Sequence, residues 1–140
     1  MSSSAESSAR RRAGESAVQS ASGGGLLRIP CVRRCELLFD DVPAAAEAFL
    51  VNLNVLGAYV AHEGPARVGD LLTCRFTLPG NAIPLTPRAM VAWTNALQQH
   101  PVHSLPPGFG LRFLRLSPEH HARIAAAIRQ YLRRPGAQPR

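Results

Sequence analysis

The sequence predicts a mainly β domain in which six antiparallel strands form a small barrel and one amphipathic helix follows them. Three observations support this prediction. From residue 28 onward, short apolar runs are separated by Gly, Pro and Asn at spacings of about 8–12 residues, which is typical of antiparallel sandwiches and barrels. Several of these runs alternate apolar with polar residues, as strands with one buried face do. Near the C-terminus the apolar period changes to three and four residues, which indicates a helix lying against the sheet.

Six segments have the length and alternation of strands. Residues 71–78 are the clearest, because every second side chain in this segment is apolar. Pro79 then fixes φ for the second position of a type II turn, and Gly80 suits the positive-φ third position. We therefore expect a hairpin whose second strand is 88–94. The predicted strands are residues 31–39, 49–53, 58–62, 71–78, 88–94 and 109–113.

The same alternation assigns side chains to the two faces of each strand. The groups expected to share a face are Ala89, Val91 and Trp93; Phe109, Leu111 and Phe113; and, pointing the other way on the last strand, Gly110 and Arg112. The first strand is the least regular, because Arg33 falls on the face that also holds Cys31 and Cys35.

The C-terminal helix has a clear start signal. Ser117, Pro118 and Glu119 place a cap residue, a first-turn proline and a first-turn acid in order. The helix is expected to end at Pro135-Gly136 and to cover one opening of the barrel, because sheet edges must be closed or covered. Its predicted apolar stripe consists of His121, Ile124, Ala125, Ile128, Tyr131 and Leu132.

Composition predicts one domain with tails: a flexible leader at 1–25, a folded domain at 26–132 and a basic tail at 133–140. The net charge is +7, and all 16 basic residues are arginine. Residues 28–132, however, hold ten arginines and seven acids, so that the folded part is only mildly basic. With 6% aromatic residues, most of them on predicted core faces, nucleic-acid binding is not favoured.

The cysteines give no pattern of a disulfide framework. Cys31, Cys35 and Cys74 are not paired in the sequence, so we expect a reducing compartment and a cytoplasmic protein. No stretch approaches the roughly 20 apolar residues that span a bilayer. His100 and His103 could be combined with the first two cysteines into a zinc site. Cysteines four apart along a strand, however, lie about 13 Å from each other, which is too far for both to bind one metal ion. We expect no bound metal.

No group of residues indicates catalysis. His120-His121 has no serine, cysteine or carboxylate pair placed to use it. Asp40-Asp41, beside Pro43, is interpreted as turn chemistry. We therefore expect a protein that is not an enzyme, with no catalytic residue and no cofactor.

The segment Asn52-Leu53-Asn54-Val55-Leu56-Gly57 is the most informative about function. The amides of Asn52 and Asn54 can donate and accept hydrogen bonds, while Gly57 permits positive φ and lets a ligand approach the backbone. This spacing suits a flat ligand that bonds along its edge, such as a purine. The alternative is an Asx-stabilised connection between two strands with no ligand.

Residues 26–132 resemble the PilZ domain family. The resemblance implies a six-stranded PilZ-type barrel with a C-terminal helix, and many members of that family bind the bacterial second messenger cyclic di-GMP. The segments that carry the resemblance are Arg28-Ile29-Pro30-Cys31-Val32, Asn52 through Val60, Val68-Gly69-Asp70-Leu71-Leu72 and Gly108-Phe109-Gly110-Leu111-Arg112-Phe113.

Members that bind the messenger typically carry two arginines with three residues between them and a turn reading Asp or Asn, any, Ser, any, any, Gly. By this resemblance Arg28 matches the second arginine, and Asn52 and Gly57 match the turn. Two positions depart from the pattern, since Gly24 replaces the first arginine and Asn54 the serine. A charge-assisted hydrogen bond is worth about 1.5–3 kcal/mol and stacking on guanine adds to it, so one missing arginine predicts binding weakened about tenfold to a thousandfold, or lost.

The resemblance implies a non-enzymatic signalling protein, a receptor or adaptor in cyclic di-GMP-linked control of motility or surface behaviour. The predicted ligand-binding residues are Arg28, Asn52, Asn54 and Gly57. A protein partner is expected, although the sequence does not identify it. The alternatives are an adaptor that docks proteins without a ligand and, third, a small barrel that binds nucleic acid.

Overall fold

The computed structural model describes residues 27–95 and 105–135. The predictions for the leader 1–25, for His100 and His103 and for residues 136–140 concern residues outside these ranges. The elements are β1 (Ile29–Phe39), β2 (Ala46–Leu53), β3 (Gly57–Ala61), β4 (Leu71–Leu78), β5 (Asn81–Leu85), β6 (Arg88–Asn95), β7 (Gly108–Leu114) and α1 (Pro118–Arg133).

Six of the strands close into the predicted antiparallel barrel. Ladders join them in the order β1-β2-β3-β7-β6-β4, and β4 pairs back with β1 between Glu36–Phe39 and Leu72–Arg75. Closure in this way leaves no long free edge around the ring, which limits pairing with other chains.

The strand β5 was not predicted. It pairs with β4 through Phe76 with Leu85 and Leu78 with Asn81, directly after a turn in which Gly80 has the expected positive φ of 78°. The strand that follows the Gly80 turn as the hairpin partner of β4 is therefore β5, whereas the predicted partner 88–94 forms β6 and pairs with the Leu71–Thr73 end of β4. Alternation did not reveal β5 because Pro84 interrupts it, and proline lowers the strand tendency of a short run.

The core fills the interior of the barrel with the inward side chains of the strands. The predicted inner faces of β4 and β7 are confirmed, and Arg112 points outward and is exposed. The fully buried side chains that define the core include Leu37, Leu50, Leu53, Val60, Leu72, Cys74, Leu85, Ala89, Val91, Leu111 and Ile124. Because buried side chains fill the interior all around the ring, we look for a binding site on the outer face of the barrel.

Trp93 does not share a face with Ala89 and Val91, so that prediction is wrong. The register changes between Val91, which pairs with Leu111, and Trp93, which pairs with Gly110. This bulge inserts one extra residue and reverses the side on which the following side chains lie. Ala89 and Val91 are buried in the core, whereas Trp93 packs on the outer face against Tyr59.

The helix α1 begins as predicted. Ser117 is the N-cap, and its hydroxyl accepts a hydrogen bond from the backbone nitrogen of His120 at 3.1 Å. This bond satisfies one of the backbone donors that the first helical turn leaves unpaired. The helix ends at Arg133, two residues before the predicted stop at Pro135.

The apolar face of α1 is narrower than predicted. Ile124 is fully buried in the barrel core, and Ala127 and Ile128 pack against that core. His121 and Leu132, which were predicted in the buried stripe, are exposed. The barrel contacts only the middle of the helix. The spacing of apolar residues along the sequence therefore predicted a longer helix–barrel contact than the structure has.

The strand β1 accommodates its irregular arginine through a bulge. The register shifts between Pro30 and Arg33, and Arg33 is half-buried with its Nε donating to the hydroxyl of Thr77 at 3.3 Å. Cys31 and Cys35 are free and buried nearby, and Cys74 is also free and buried. The cysteines thus behave as small apolar core residues, as expected.

The turn after β1 is fixed by an ion pair. The carboxylate of Asp40 accepts two hydrogen bonds from the guanidinium of Arg88, each at 2.7 Å. These hydrogen bonds lower the pKa of Asp40 and raise the pKa of Arg88. Both side chains are exposed, so the ion pair adds little to the free energy of unfolding. Its main effect is to hold the turn after β1 in place.

In the part of the chain that the structure describes, no helix is long and apolar enough to span a membrane. No group of three or more histidine, cysteine or carboxylate side chains in residues 27–95 and 105–135 is arranged to hold a metal ion.

Candidate ligand-binding site

Arg28 and Asn52 are in contact, although 24 positions separate them in the sequence. Pro30 pairs with Asn52 across the β1–β2 ladder, which brings the segment before β1 alongside the end of β2. The Nη1 of Arg28 donates to the Oδ1 of Asn52 at 3.2 Å. Arg28 is half-buried, and this burial lowers its pKa. A guanidinium has five N–H donors, so one such bond leaves capacity for an anionic ligand.

The amide oxygen of Asn52 joins two strands. Besides the bond from Arg28, it accepts a hydrogen bond from the backbone nitrogen of Tyr59 at 3.2 Å. Within the described ranges no residue accepts a hydrogen bond from the Asn52 side-chain nitrogen. The two hydrogen bonds to its oxygen therefore orient the Asn52 side chain, and its NH₂ group remains as a hydrogen-bond donor.

Asn54 closes the connection between β2 and β3. Its Oδ1 accepts hydrogen bonds from the backbone nitrogens of Leu56 at 2.8 Å and Gly57 at 3.0 Å, and the backbone nitrogen of Asn54 donates to the Gly57 carbonyl at 2.9 Å. Asn54 is only 5% exposed. This is the Asx-stabilised turn given above as the alternative interpretation. Its buried oxygen is used by the backbone of the turn.

Gly57 does not adopt positive φ, so that expectation is wrong. The described glycines with positive φ are Gly69 and Gly80. Gly57 is instead the first residue of β3, where a Cβ would overlap the carbonyl oxygen of Leu111. Glycine is required because the backbones of β3 and β7 approach closely at this point.

A row of five residues crosses the outer face of the barrel through Asn52. The registers place Pro30 opposite Asn52, Asn52 opposite Tyr59, Tyr59 opposite Gly110, and Gly110 opposite Trp93. The rings of Tyr59 and Trp93 are tilted against each other with centroids 5.3 Å apart. We call these five residues the outer row.

Sequence reasoning missed Tyr59 and Trp93 as neighbours of the predicted site. The sequence could have predicted Tyr59, because this residue follows Gly57 by two positions and side chains two apart lie on the same face of a strand. Trp93 gave no local signal, since only the bulge in β6 brings its ring to the outer face.

Tyr59 is held by two polar contacts. Its hydroxyl donates to the carbonyl oxygen of Pro106 at 2.6 Å and accepts from the side-chain nitrogen of Asn95 at 3.2 Å. The side chain is fully buried. Burial raises the pKa of Tyr59 to about 12, against the opposing effect of the Asn95 bond. The tyrosine is therefore neutral under physiological conditions and serves as a fixed support.

The outer row and Arg28 together present hydrogen-bond donors, a cation and aromatic surface. None of the five residues of the outer row carries a carboxylate, thiol or imidazole. An anionic or edge-bonding ligand needs hydrogen-bond donors and flat surfaces, and these residues supply both. The arrangement is suited to binding.

Comparisons with known proteins agree with the fold described above. The sequence matches the PilZ domain family over residues 22–130. A search of curated proteins found no match.

Two solved structures have a similar fold. The PilZ domain of CeSA from a cellulose-synthesizing bacterium is 18% identical, with a TM-score of 0.51, 74% of this chain covered and 92% of that one. The PilZ domain of YcgR from Escherichia coli, whose structure is described as containing c-di-GMP, is 16% identical, with a TM-score of 0.57 and coverages of 77% and 90%. At these identities the likeness is one of fold.

Proposed function

Since this chain belongs to the PilZ domain family, we propose that it is a non-enzymatic signalling protein that binds cyclic di-GMP with reduced affinity. In this role it is a receptor or adaptor that passes the messenger level to a protein partner controlling motility or surface behaviour. The proposed ligand-binding residues are Arg28, Asn52, Asn54 and Gly57.

The contact between Arg28 and Asn52 is the observation that supports this proposal most strongly. The guanidinium is held at 3.2 Å from the amide oxygen on the outer face of the barrel. A planar guanidinium can stack on a guanine base and bind phosphate through paired hydrogen bonds. An amide beside it can bond the edge of the same base. The pair thus matches both parts of a guanine nucleotide.

The reduced affinity follows from the residue at position 24. Gly24 stands where messenger-binding members of the family carry their first arginine. A second phosphate would lose a charge-assisted hydrogen bond worth about 1.5–3 kcal/mol, and the loss of guanidinium stacking on a guanine adds to this. We therefore expect an affinity about tenfold to a thousandfold weaker than that of a protein with both arginines.

The four proposed residues contribute differently. Arg28 and Asn52 carry side-chain donors at the outer face, whereas the Asn54 oxygen is bonded to the backbone of its own turn. Gly57 fixes the start of β3 against β7. In this proposal Arg28 and Asn52 contact the ligand, and Asn54 and Gly57 hold the turn that positions Asn52.

The proposal can be tested by calorimetry with cyclic di-GMP on the full chain and on its Gly24→Arg and Arg28→Ala variants. We expect weak binding by the wild type, binding at least tenfold tighter by Gly24→Arg, and loss of binding in Arg28→Ala. Arg75→Ala is a matched control, because Arg75 is an exposed strand arginine paired with Glu36. Unchanged affinity in Arg28→Ala would show that the ligand binds elsewhere. Absence of binding by both wild type and Gly24→Arg would contradict the receptor function.

An adaptor that docks proteins without a ligand is the second candidate. Val32 and Phe49 favour it, because they are 72% and 51% exposed on neighbouring strands of the outer face. Phe49 pairs with Arg34, two residues after Val32 on β1, and exposed apolar patches are typical of protein contacts. A pull-down that depends on Phe49 and is insensitive to cyclic di-GMP and to Arg28→Ala would support this candidate over the receptor.

A further inference from the structure

A second arginine lies on the same outer face as the proposed site. Arg112 follows Gly110 by two residues on β7 and lies between Leu111 and Phe113, which face the core. Because side chains alternate along a strand, Arg112 points to the side on which Tyr59 and Trp93 pack. It is exposed to solvent.

The ladders place Arg112 beside the turn that carries Asn52 and Asn54. Its direct partner on β3 is Gly57, the last residue of the turn motif. Neighbouring strands are about 4.8 Å apart and two residues span about 6.7 Å along a strand, so the Cα atoms of Asn52 and Arg112 are separated by about 12 Å. Gly57 has no side chain to stand between them. Because Arg28 is hydrogen-bonded to Asn52, its guanidinium and that of Arg112 can converge on one ligand from the two sides of this gap.

Arg112 also differs from Arg75 and Arg88 in having no ion-pair partner among the described residues. Arg75 and Arg88 form ion pairs with Glu36 and Asp40. Within residues 27–95 and 105–135 no group forms a hydrogen bond or ion pair with the Arg112 side chain. Its charge is therefore not offset by a neighbouring acid in that part of the chain.

Two other arginines near β1 are less suited to an anion. Arg33 is half-buried, and its Nε is bonded to Thr77. Arg34 lines a cleft of about 350 Å³ that also holds the carboxylates of Glu36 and Glu47. Negative groups at that cleft oppose the approach of a phosphate. Arg112 is the better placed of the three.

We propose that Arg112 binds the second phosphate of cyclic di-GMP, supplying from β7 the cation that Gly24 cannot provide. This inference rests on the proposed receptor function. It implies that the ligand lies across the outer row, with Arg28 and Asn52 on one side and Arg112 on the other. The Trp93 ring lies along this path, so bound ligand is expected to change its fluorescence.

The test is a titration of the full chain with cyclic di-GMP, followed by calorimetry and by the fluorescence of Trp93, the single tryptophan in the sequence. Arg112→Ala is expected to weaken binding about tenfold to a hundredfold, as for a lost charge-assisted hydrogen bond. Arg112→Lys should recover part of that loss, because the charge remains without the planar donor pair. Arg75→Ala should bind as wild type does.

The same variants separate failure of this inference from failure of the receptor function. If wild type binds and Arg112→Ala binds equally well, Arg112 is not a contact while the receptor function stands. If only Gly24→Arg binds, Arg112→Ala is measured in that background, where weaker binding supports the contact and unchanged binding overturns it. If neither protein binds, both proposals are wrong. Circular dichroism should find Arg112→Ala folded as wild type, because the side chain is exposed.

Discussion

The indole ring of Trp93 lies over Gly110 on the neighbouring strand, where its Nε1 occupies the space that a Cβ of residue 110 would need. The same ring packs on Tyr59. Gly110 therefore has a packing role on the outer face, in addition to its place in the β6–β7 ladder. The aromatic pair beside the proposed site depends on the absence of a side chain at residue 110.

Gly110→Ala is expected to displace the indole and to lower the free energy of unfolding by about 1–3 kcal/mol, as added methyl groups do in well-packed regions. Urea denaturation measures the loss, and a shift of the Trp93 emission reports the movement of the ring. In a Trp93→Ala background the same substitution should cost much less, because the methyl group then has room. An equal cost in both backgrounds would mean that the ring is not the obstacle.

Gly57→Ala is expected to destabilise the protein by about 1–3 kcal/mol or more, because the new methyl group meets the Leu111 carbonyl oxygen, which is backbone and cannot rotate away. Thermal unfolding followed by circular dichroism measures this. Gly80→Asn is the control: its φ is 78° with no atom within 4 Å of a Cβ, and asparagine tolerates that conformation. We expect the control to cost less than about 1 kcal/mol. A harmless Gly57→Ala would contradict the close approach of β3 and β7.

Asn54→Ala removes the acceptor of two backbone hydrogen bonds, from Leu56 and Gly57, in a buried turn. Leaving buried donors unsatisfied costs about 1–3 kcal/mol each, and water entering the turn reduces this. Asn54→Asp keeps the oxygen and should retain most of the stability at neutral pH. Chemical denaturation of the two variants compares them, and equal stability would show that the side-chain oxygen is not needed.

The pKa of Tyr59 predicts a loss of stability in strong alkali. The fold favours the neutral phenol and raises its pKa to about 12, compared with about 10 for an unfolded tyrosine. This contribution is fully present below pH 10 and is lost as the pH rises towards 12. Absorbance at the tyrosinate band should contain a step near pH 12 that Tyr59→Phe removes. Ionisation of Tyr59 near pH 10 in the folded protein would contradict its burial.

The barrel strands and the helix could be located from the sequence because their signals are local. Alternation identified β4 and β7, and the cap at Ser117 identified the start of α1. Local patterns failed where proline or an inserted residue interrupts the period, as Pro84 does in β5 and the bulge does before Trp93.

For the candidate site, the sequence by itself determined which residues carry its chemistry: an arginine before the first strand and a turn with two asparagines and a glycine. Only the tertiary structure decided that Arg28 contacts Asn52, that Gly57 is required by the nearby carbonyl of Leu111, and that Arg112 and Trp93 share the outer face. Side-chain chemistry and strand period are properties of short segments. Register between distant strands depends on bulges and on barrel closure, which no single segment specifies.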